Sequence, residues 1–175
     1  MHNIFFASDH HFGHANILNF LADGHPLRVF DHVDHMNEHM IEQHNKVVRP
    51  EDKTYFLGDV AMGSAGLRYL DRMNGTKVLI KGNHDRDKLS NYAKYFKDVR
   101  ATHLVDKMVL SHVPIHPQSL VRWNRNVHGH LHSNRIMNDS GRAINPHYLC
   151  VCMEQIDYTP ISLEEVRKRF DEAML

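Results

Sequence analysis

A chain of 175 residues with 42% hydrophobic and 24% charged residues has the length of one domain and an ordinary globular balance, which excludes a disordered or collagen-like polymer. Its 21 Lys and Arg against 21 Asp and Glu leave no net charge to hold duplex nucleic acid or an anionic membrane by general attraction. No apolar run approaches the ~20 residues of a membrane span, and Ile4-Phe5-Phe6-Ala7 is too short for a signal-peptide core; one soluble, cytoplasmic domain over 1–175 is the expectation.

In chain order, residues 3–9 read as a short buried strand that delivers Asp9 and His11 into a loop. Residues 16–21 read as a short helical piece, closed by Asp23-Gly24 and Pro26. From Val33, the spacing of Met36, Met40, Ile41 and Val47 predicts an amphipathic helix over 32–48. Its four histidines, His32, His35, His39 and His44, fall on more than one face, which suits solvated positions better than a metal site. Thr54 to Leu57 is a second strand running into Gly58-Asp59. Ser64 is placed to cap a helix carrying Leu67, Leu70 and Met73, which stops at Asn74-Gly75.

Lys77 to Ile80 is a third strand, followed by Gly82-Asn83-His84-Asp85. Leu89, Tyr92, Ala93 and Phe96 mark a further helix. Lys107 to Leu110 is a strand presenting Ser111-His112, and Val127 leads into Gly129-His130-Leu131-His132. Tyr148 to Met153 reads as a late strand with Cys150 and Cys152 on one face, and buried free thiols are the expectation for both. Ser162 to Glu165 form a capping box opening a last helix, with Leu163, Val166, Phe170 and Met174 facing inward.

Histidine is the outlier. It occurs 17 times, spread from His2 to His147 rather than as a terminal run. Neutral imidazole is a common ligand for borderline metals, and spacing decides which histidines qualify. Five strand ends deliver metal-competent residues: Asp9-x-His11, Gly58-Asp59, Gly82-Asn83-His84-Asp85, His112, and Gly129-His130-x-His132. Ligands collect where the carboxyl ends of strands open a crevice. Each piece alone reads as a turn or a packed histidine. Together they point to one site. His10, on an extended backbone, points away from Asp9 and His11 and is set aside, while by the same period His128 could share a face with His130 and His132.

The order Asp-x-His, Gly-Asp, Gly-Asn-His-Asp, His, Gly-His-x-His resembles the calcineurin-like metallophosphoesterases, over nearly the whole chain. The string from Ser8 to Ile17 is similar to the small, compact bacterial and phage branch of that superfamily. The resemblance implies an α/β fold in which a two-sheet β-sandwich is flanked by helices, in four layers, α/β/β/α. It implies two divalent transition metals, with Mn first and Fe, Zn, Ni or Co as alternatives. Asp9, His11 and His132 would hold one ion, Asn83, His112 and His130 the other. Asp59 would bridge them, one carboxylate oxygen facing each. Two cations ~3.5–4 Å apart can share a water, lower its pKa and clamp phosphate oxygens, so that the shared hydroxide attacks in line.

By the same resemblance His84 would steady phosphoryl oxygens or protonate the leaving oxygen. Asp85 would either orient that imidazole or cap the turn. His14 lies beside the first loop, as support, substrate contact or packing. The loop 117–126 joins two ligand-bearing strand ends, and Arg122, Trp123 and Arg125 are its candidates to grip a phosphate and stack on a base. A compact chain with no inserted cap favours a phosphodiesterase on nucleotides or nucleic-acid ends over a phosphomonoesterase. Neutral charge favours a small or single-stranded phosphoester over a tightly held duplex. A metallo-β-lactamase-like hydrolase needs His-x-His-x-Asp-His early in the chain, and here His-x-His comes late, before Ser133-Asn134. A non-catalytic metal-binding scaffold would show a substituted ligand, and none is seen.

Overall fold

The structure, a computed structural model, describes residues 2–174. In chain order its elements are β1 (Ile4–Ala7), a 3₁₀ turn, β2 (Leu21–Ala22), β3 (His25–Pro26), α1 (Val33–Val47), β4 (Lys53–Phe56) and α2 (Gly63–Leu67). There follow β5 (Thr76–Ile80), α3 (Leu89–Tyr92), β6 (Asp98–Arg100), β7 (His103–Val105), β8 (Met108–Leu110), β9 (Asn126–His128), β10 (Tyr148–Cys150), β11 (Ile161–Ser162) and α4 (Leu163–Ala173). The architecture is mixed α/β. Among the described residues no helix is long and apolar enough to cross a membrane.

Two sheets carry the ligand-bearing loops. The larger has the order β11-β1-β4-β5-β6, with β1, β4, β5 and β6 parallel and β11 antiparallel on the edge. The smaller has the order β10-β9-β8-β7, parallel except for β7. Phe6, Phe56 and Leu79 of the first share one buried core with Met108, Leu110 and Val127 of the second. A parallel bridge between Ser8 and Cys152 ties the end of β1 to the segment after β10. Both parallel sets therefore point their carboxyl ends toward a common region, which is what brings residues 9, 59, 83, 112 and 130 together.

The helices depart from the sequence reading in detail. In α1, Met36, Met40 and Ile41 are buried as their spacing demands, and His32 caps the helix by accepting the His35 N–H at 3.1 Å. His44 is not solvated. It is fully buried, with Nε2 3.0 Å from the Asn74 carbonyl, because its turn faces the loop before β5. Ser64 is no cap: α2 starts from Met62 without a side-chain cap, and Arg68–Arg72 continue as 3₁₀ turns. Glycines at 63 and 66 weaken the α-helix there. The helix expected over 89–96 closes at Tyr92, leaving Leu89 exposed. In α4 the Ser162 hydroxyl accepts the Glu165 N–H as the capping box requires, whereas Met174 lies beyond the helix and is exposed.

Candidate metal centre

The loops after β1, β4 and β9 share a backbone device. Asp9, His11, Asp59, His130 and His132 all have positive φ, between 51° and 70°. Such a conformation is uncommon outside glycine, although Asp and His tolerate it better than most. Its concentration at the proposed ligands is the pattern of strain held at a functional site. The loops also pack too closely for side chains between them. A Cβ on Gly129 would overlap Ser8 Oγ and Asp9 Oδ2, and one on Gly82 would overlap Asp59 Oδ1. Glycine before Asn83 and before His130 is therefore a condition of close approach.

Two donor groups result: Asp9, His11 and His132, and Asp59, His112 and His130. Asp9 Oδ1 lies 3.7 Å from His11 Nε2 and 3.9 Å from His132 Nε2. Asp59 Oδ2 lies 3.8 Å from His11 Nε2 and 3.4 Å from His112 Nε2, so it stands between the groups. Asn83 Oδ1 is 2.8 Å from His112 Nε2, which places it with the second group. One detail differs from expectation. Asp59 does not offer one oxygen to each side, because Oδ1 accepts the His84 N–H at 2.7 Å and a single oxygen, Oδ2, faces both groups.

These atoms lack partners. Asp9 Oδ1 and both nitrogens of His11 are buried without a hydrogen bond. Buried polar atoms are normally satisfied, and lone pairs from several residues converging on one point suit a cation. The donor set is nitrogen and oxygen without thiolate, which fits Mn, Fe, Co, Ni or Zn.

The charges agree. Burial alone would raise the Asp9 carboxyl, but His11, His112 and His132 outweigh it and hold it below the ordinary carboxylate range. Burial opposes charge on His112 too, yet Asp59 and Asp9 push its pKa up to about 9. Burial opposes charge on His132 as well, yet Glu154 and Asp9 raise its pKa, whereas burial and the neighbouring His112 lower that of His130. Sites that hold protons on His112 and His132 are ones a cation can compete for.

The half-buried His84 places its ring 5.5 Å from that of His11, edge to face, beside the donors rather than among them. Asp85 does not orient it. Its buried carboxylate accepts the Asp59 and Gly82 N–H groups through Oδ2 and the Val60 N–H through Oδ1, at 2.8–3.0 Å, and so clips the β4 and β5 loops together. His10 packs against Phe12 and Phe56, outside both groups. It points away although the backbone at Asp9 and His11 is left-handed rather than extended. His128 is buried with Nδ1 at its neighbour Gly129's carbonyl, and the half-buried His14 sets its ring at a tilt beside that of His11.

The loop residues are not at the site. Arg125 donates to Asp171 of α4 at 2.7 Å and covers the Phe170 ring. Trp123 packs on the small cluster of Val109, Leu120 and Tyr148, with Arg122 against its ring. The reason is topological. β8 and β9 are parallel, so their connection must return to the amino edge, and residues 122–125 lie at that end.

Sequence reasoning missed four residues around Asp9 and His132. The Ser8 hydroxyl, the Cys152 thiol and the His130 N–H all donate to Asp9 Oδ2, at 2.5, 3.1 and 2.9 Å. Cys150 and Cys152 are free and buried as expected, with their sulfurs 3.3 Å apart. Glu154 Oε1 lies 3.0 Å from His132 Nδ1, and Arg28 Nε donates to the same oxygen at 2.7 Å. Glu154 stands just beyond β10, at the same edge as the ligand-bearing strand ends.

No protein-family model matches the chain. It is 33% identical over 178 residues to the uncharacterized protein MJ1445 of Methanocaldococcus jannaschii, a match covering 98% of this chain and 93% of the archaeal one. The two belong to one family. The chain is also 37% identical over 91 residues to the gene 66 protein of Mycobacterium phage D29, covering 49% of this chain and 42% of the phage protein. Among solved structures, a protein of unknown function, AQ665, from Aquifex aeolicus is similar with a TM-score of 0.73 and 28% identity, over 96% of this chain and 99% of that one.

Proposed function

We propose that the chain is a dinuclear-metal-dependent phosphoesterase of calcineurin-like type, a phosphodiesterase acting on nucleotides or nucleic-acid ends. The observation that carries this reading is Asp59 Oδ2, one carboxylate oxygen between two donor groups. A single metal site needs no such shared atom. The finer architecture proposed is four layers, with the two sheets face to face and helices outside. It is supported by the core that residues of both sheets share and by the buried inner faces of α1 and α4.

Asp9, His11 and His132 would hold one ion, and Asn83, His112 and His130 the other, with Asp59 common to both. Bound there, such ions supply Lewis acidity to phosphate oxygens and a water of lowered pKa. The chain supplies the rest. Asp85 and the close glycine contacts fix the spacing of the loops before any substrate arrives. The His84 main chain is held by Asp59, which leaves its imidazole to meet a phosphoryl or leaving oxygen. The preference for a diester rests on the absence, among the described residues, of an inserted cap over the strand ends.

The test is activity of metal-stripped protein reloaded with Mn, Ni or Zn against monoesters, diesters and cyclic nucleotides. Metal-dependent hydrolysis of diesters is the expected result. Binding of one ion at most by active protein would remove the dinuclear reading.

A further inference from the structure

The charged chain behind the first donor group does more than fill space. Arg28 is among the largest fully buried side chains in the protein, 2% exposed, in a stretch with no sequence motif. One of its terminal nitrogens donates to the Asp9 carbonyl at 2.5 Å and the other to the His10 carbonyl at 2.9 Å. Its Nε donates to Glu154 Oε1, the oxygen that lies 3.0 Å from His132 Nδ1. A continuous run of contacts therefore joins the main chain at Asp9 to the ring of His132. These are two members of one donor group, 123 residues apart in sequence, and the only covalent path between them runs through most of the fold.

Resting on the proposed metal site, we infer that Glu154, anchored by Arg28, is the positioning residue for His132 and sets the affinity of one of the two ions. The chemistry is specific. A carboxylate facing Nδ1 accepts a hydrogen bond from the N–H there and so keeps the proton on Nδ1, which leaves the Nε2 lone pair for a metal, and Nε2 is the nitrogen that faces Asp9 Oδ1. The same contact fixes the rotation of the ring. Burying a charged pair solely for stability is a poor device, since apolar side chains of similar shape often do as well. A pair whose shared oxygen also holds a metal-facing imidazole has a reason to be charged. Among the described residues the second donor group has no such partner: His112 Nδ1 meets the neutral Leu57 carbonyl at 2.7 Å.

The experiment measures metal affinity by chelator competition on metal-stripped protein, for the parent chain, for Glu154→Gln and for the double substitution Arg28→Met, Glu154→Leu. The single substitution leaves Arg28 without its counter-charge and risks the fold; the double one removes that unpaired charge but also frees the Asp9 and His10 carbonyls, so the protonation site of His132 is what separates the role of Glu154 from the loss of Arg28. The expected result is loss of roughly 10–100-fold in affinity for one ion in both variants, with the other ion held as in the parent. In the metal-free parent at alkaline pH, the imidazole nitrogen resonances of His132 should report a proton on Nδ1, a preference lost in the double variant. Two ions bound at parental affinity by both variants would overturn the role of Glu154 while leaving the metal site standing. A parent chain that binds no divalent metal would overturn the site itself, and the inference with it.

Discussion

At the carboxyl edge of the sheets Asp9, His11, Asp59 and His112 are almost excluded from solvent. They converge on one point while several of their atoms lack a hydrogen bond. At the amino edge of β8 and β9, Arg125 meets Asp171 and Arg167 meets Asp106, in pairs that remain open to water. Both edges are rich in charge, but solvent separates them. Exposed charges that find each other contribute ~0–1 kcal/mol and imply no ligand. Buried donors held apart, on a left-handed backbone and across loops too close for a Cβ, are what the proposed ions would complete.

If that contrast is right, the largest loss follows from the one oxygen both donor groups share. Asp59→Asn should impair occupancy of both ions and lower hydrolysis by roughly 10³-fold or more, about 4 kcal/mol of barrier. His11→Ala should chiefly impair one ion. Elemental analysis of the two variants separates the cases, and equal single-site loss in both would mean Asp59 is not shared.

His84 tests whether the edge divides its labour between holding metal and moving protons. His84→Ala should keep both ions and the fold, yet slow hydrolysis by ~10²–10⁴-fold. Comparing an acidic phenol leaving group with an alkoxide shows which role it has. A loss that shrinks with the phenol assigns leaving-group protonation, and a uniform loss assigns stabilisation of phosphoryl oxygens. Metal lost along with His84 would move it into the donor set.

The donor residues were legible in the sequence because each follows an apolar strand, and a strand end fixes its position within a residue or two. Glu154 and Arg28 were not, because neither follows a strand in a recognisable pattern and each takes its meaning from a side chain distant in sequence, His132 for Glu154 and Glu154 for Arg28. His44 was misread since helical periodicity tells one face from another but not which loop will cover the second face. Asp85 was half read: its type fits an orienting carboxylate, and only the geometry shows three main-chain N–H groups taking its oxygens.

His44 also supplies a control, a buried histidine with an unpartnered Nδ1 but no convergent donors. Burial depresses its pKa from 6.5 to about 4. The unfolded chain therefore binds a proton that the folded one refuses between those values, and stability falls as pH drops through that window. It is fully present above 6.5 and lower by roughly 3 kcal/mol below 4. His44→Gln keeps a donor for the Asn74 carbonyl and should flatten this part of the stability–pH curve in metal-free protein, as read by denaturant melts. An unchanged slope would place the acid sensitivity elsewhere.

The smallest effect belongs to the amino edge. Arg125 holds an exposed partner, Asp171, and lays its stem over Phe170, so Arg125→Ala should cost no more than about 1 kcal/mol of stability, part of it lost packing. Arg122, exposed against Trp123, should matter less still. Neither substitution should change kcat or KM for a phosphodiester, because a connection between parallel strands that starts at the carboxyl edge has crossed to the other end by residue 122. A rise in KM with kcat unchanged would show the loop touching substrate. It would mean that a ligand extends far enough along the sandwich to meet both edges, and the charges at 122 and 125 would then be read as a distal subsite rather than as surface pairs.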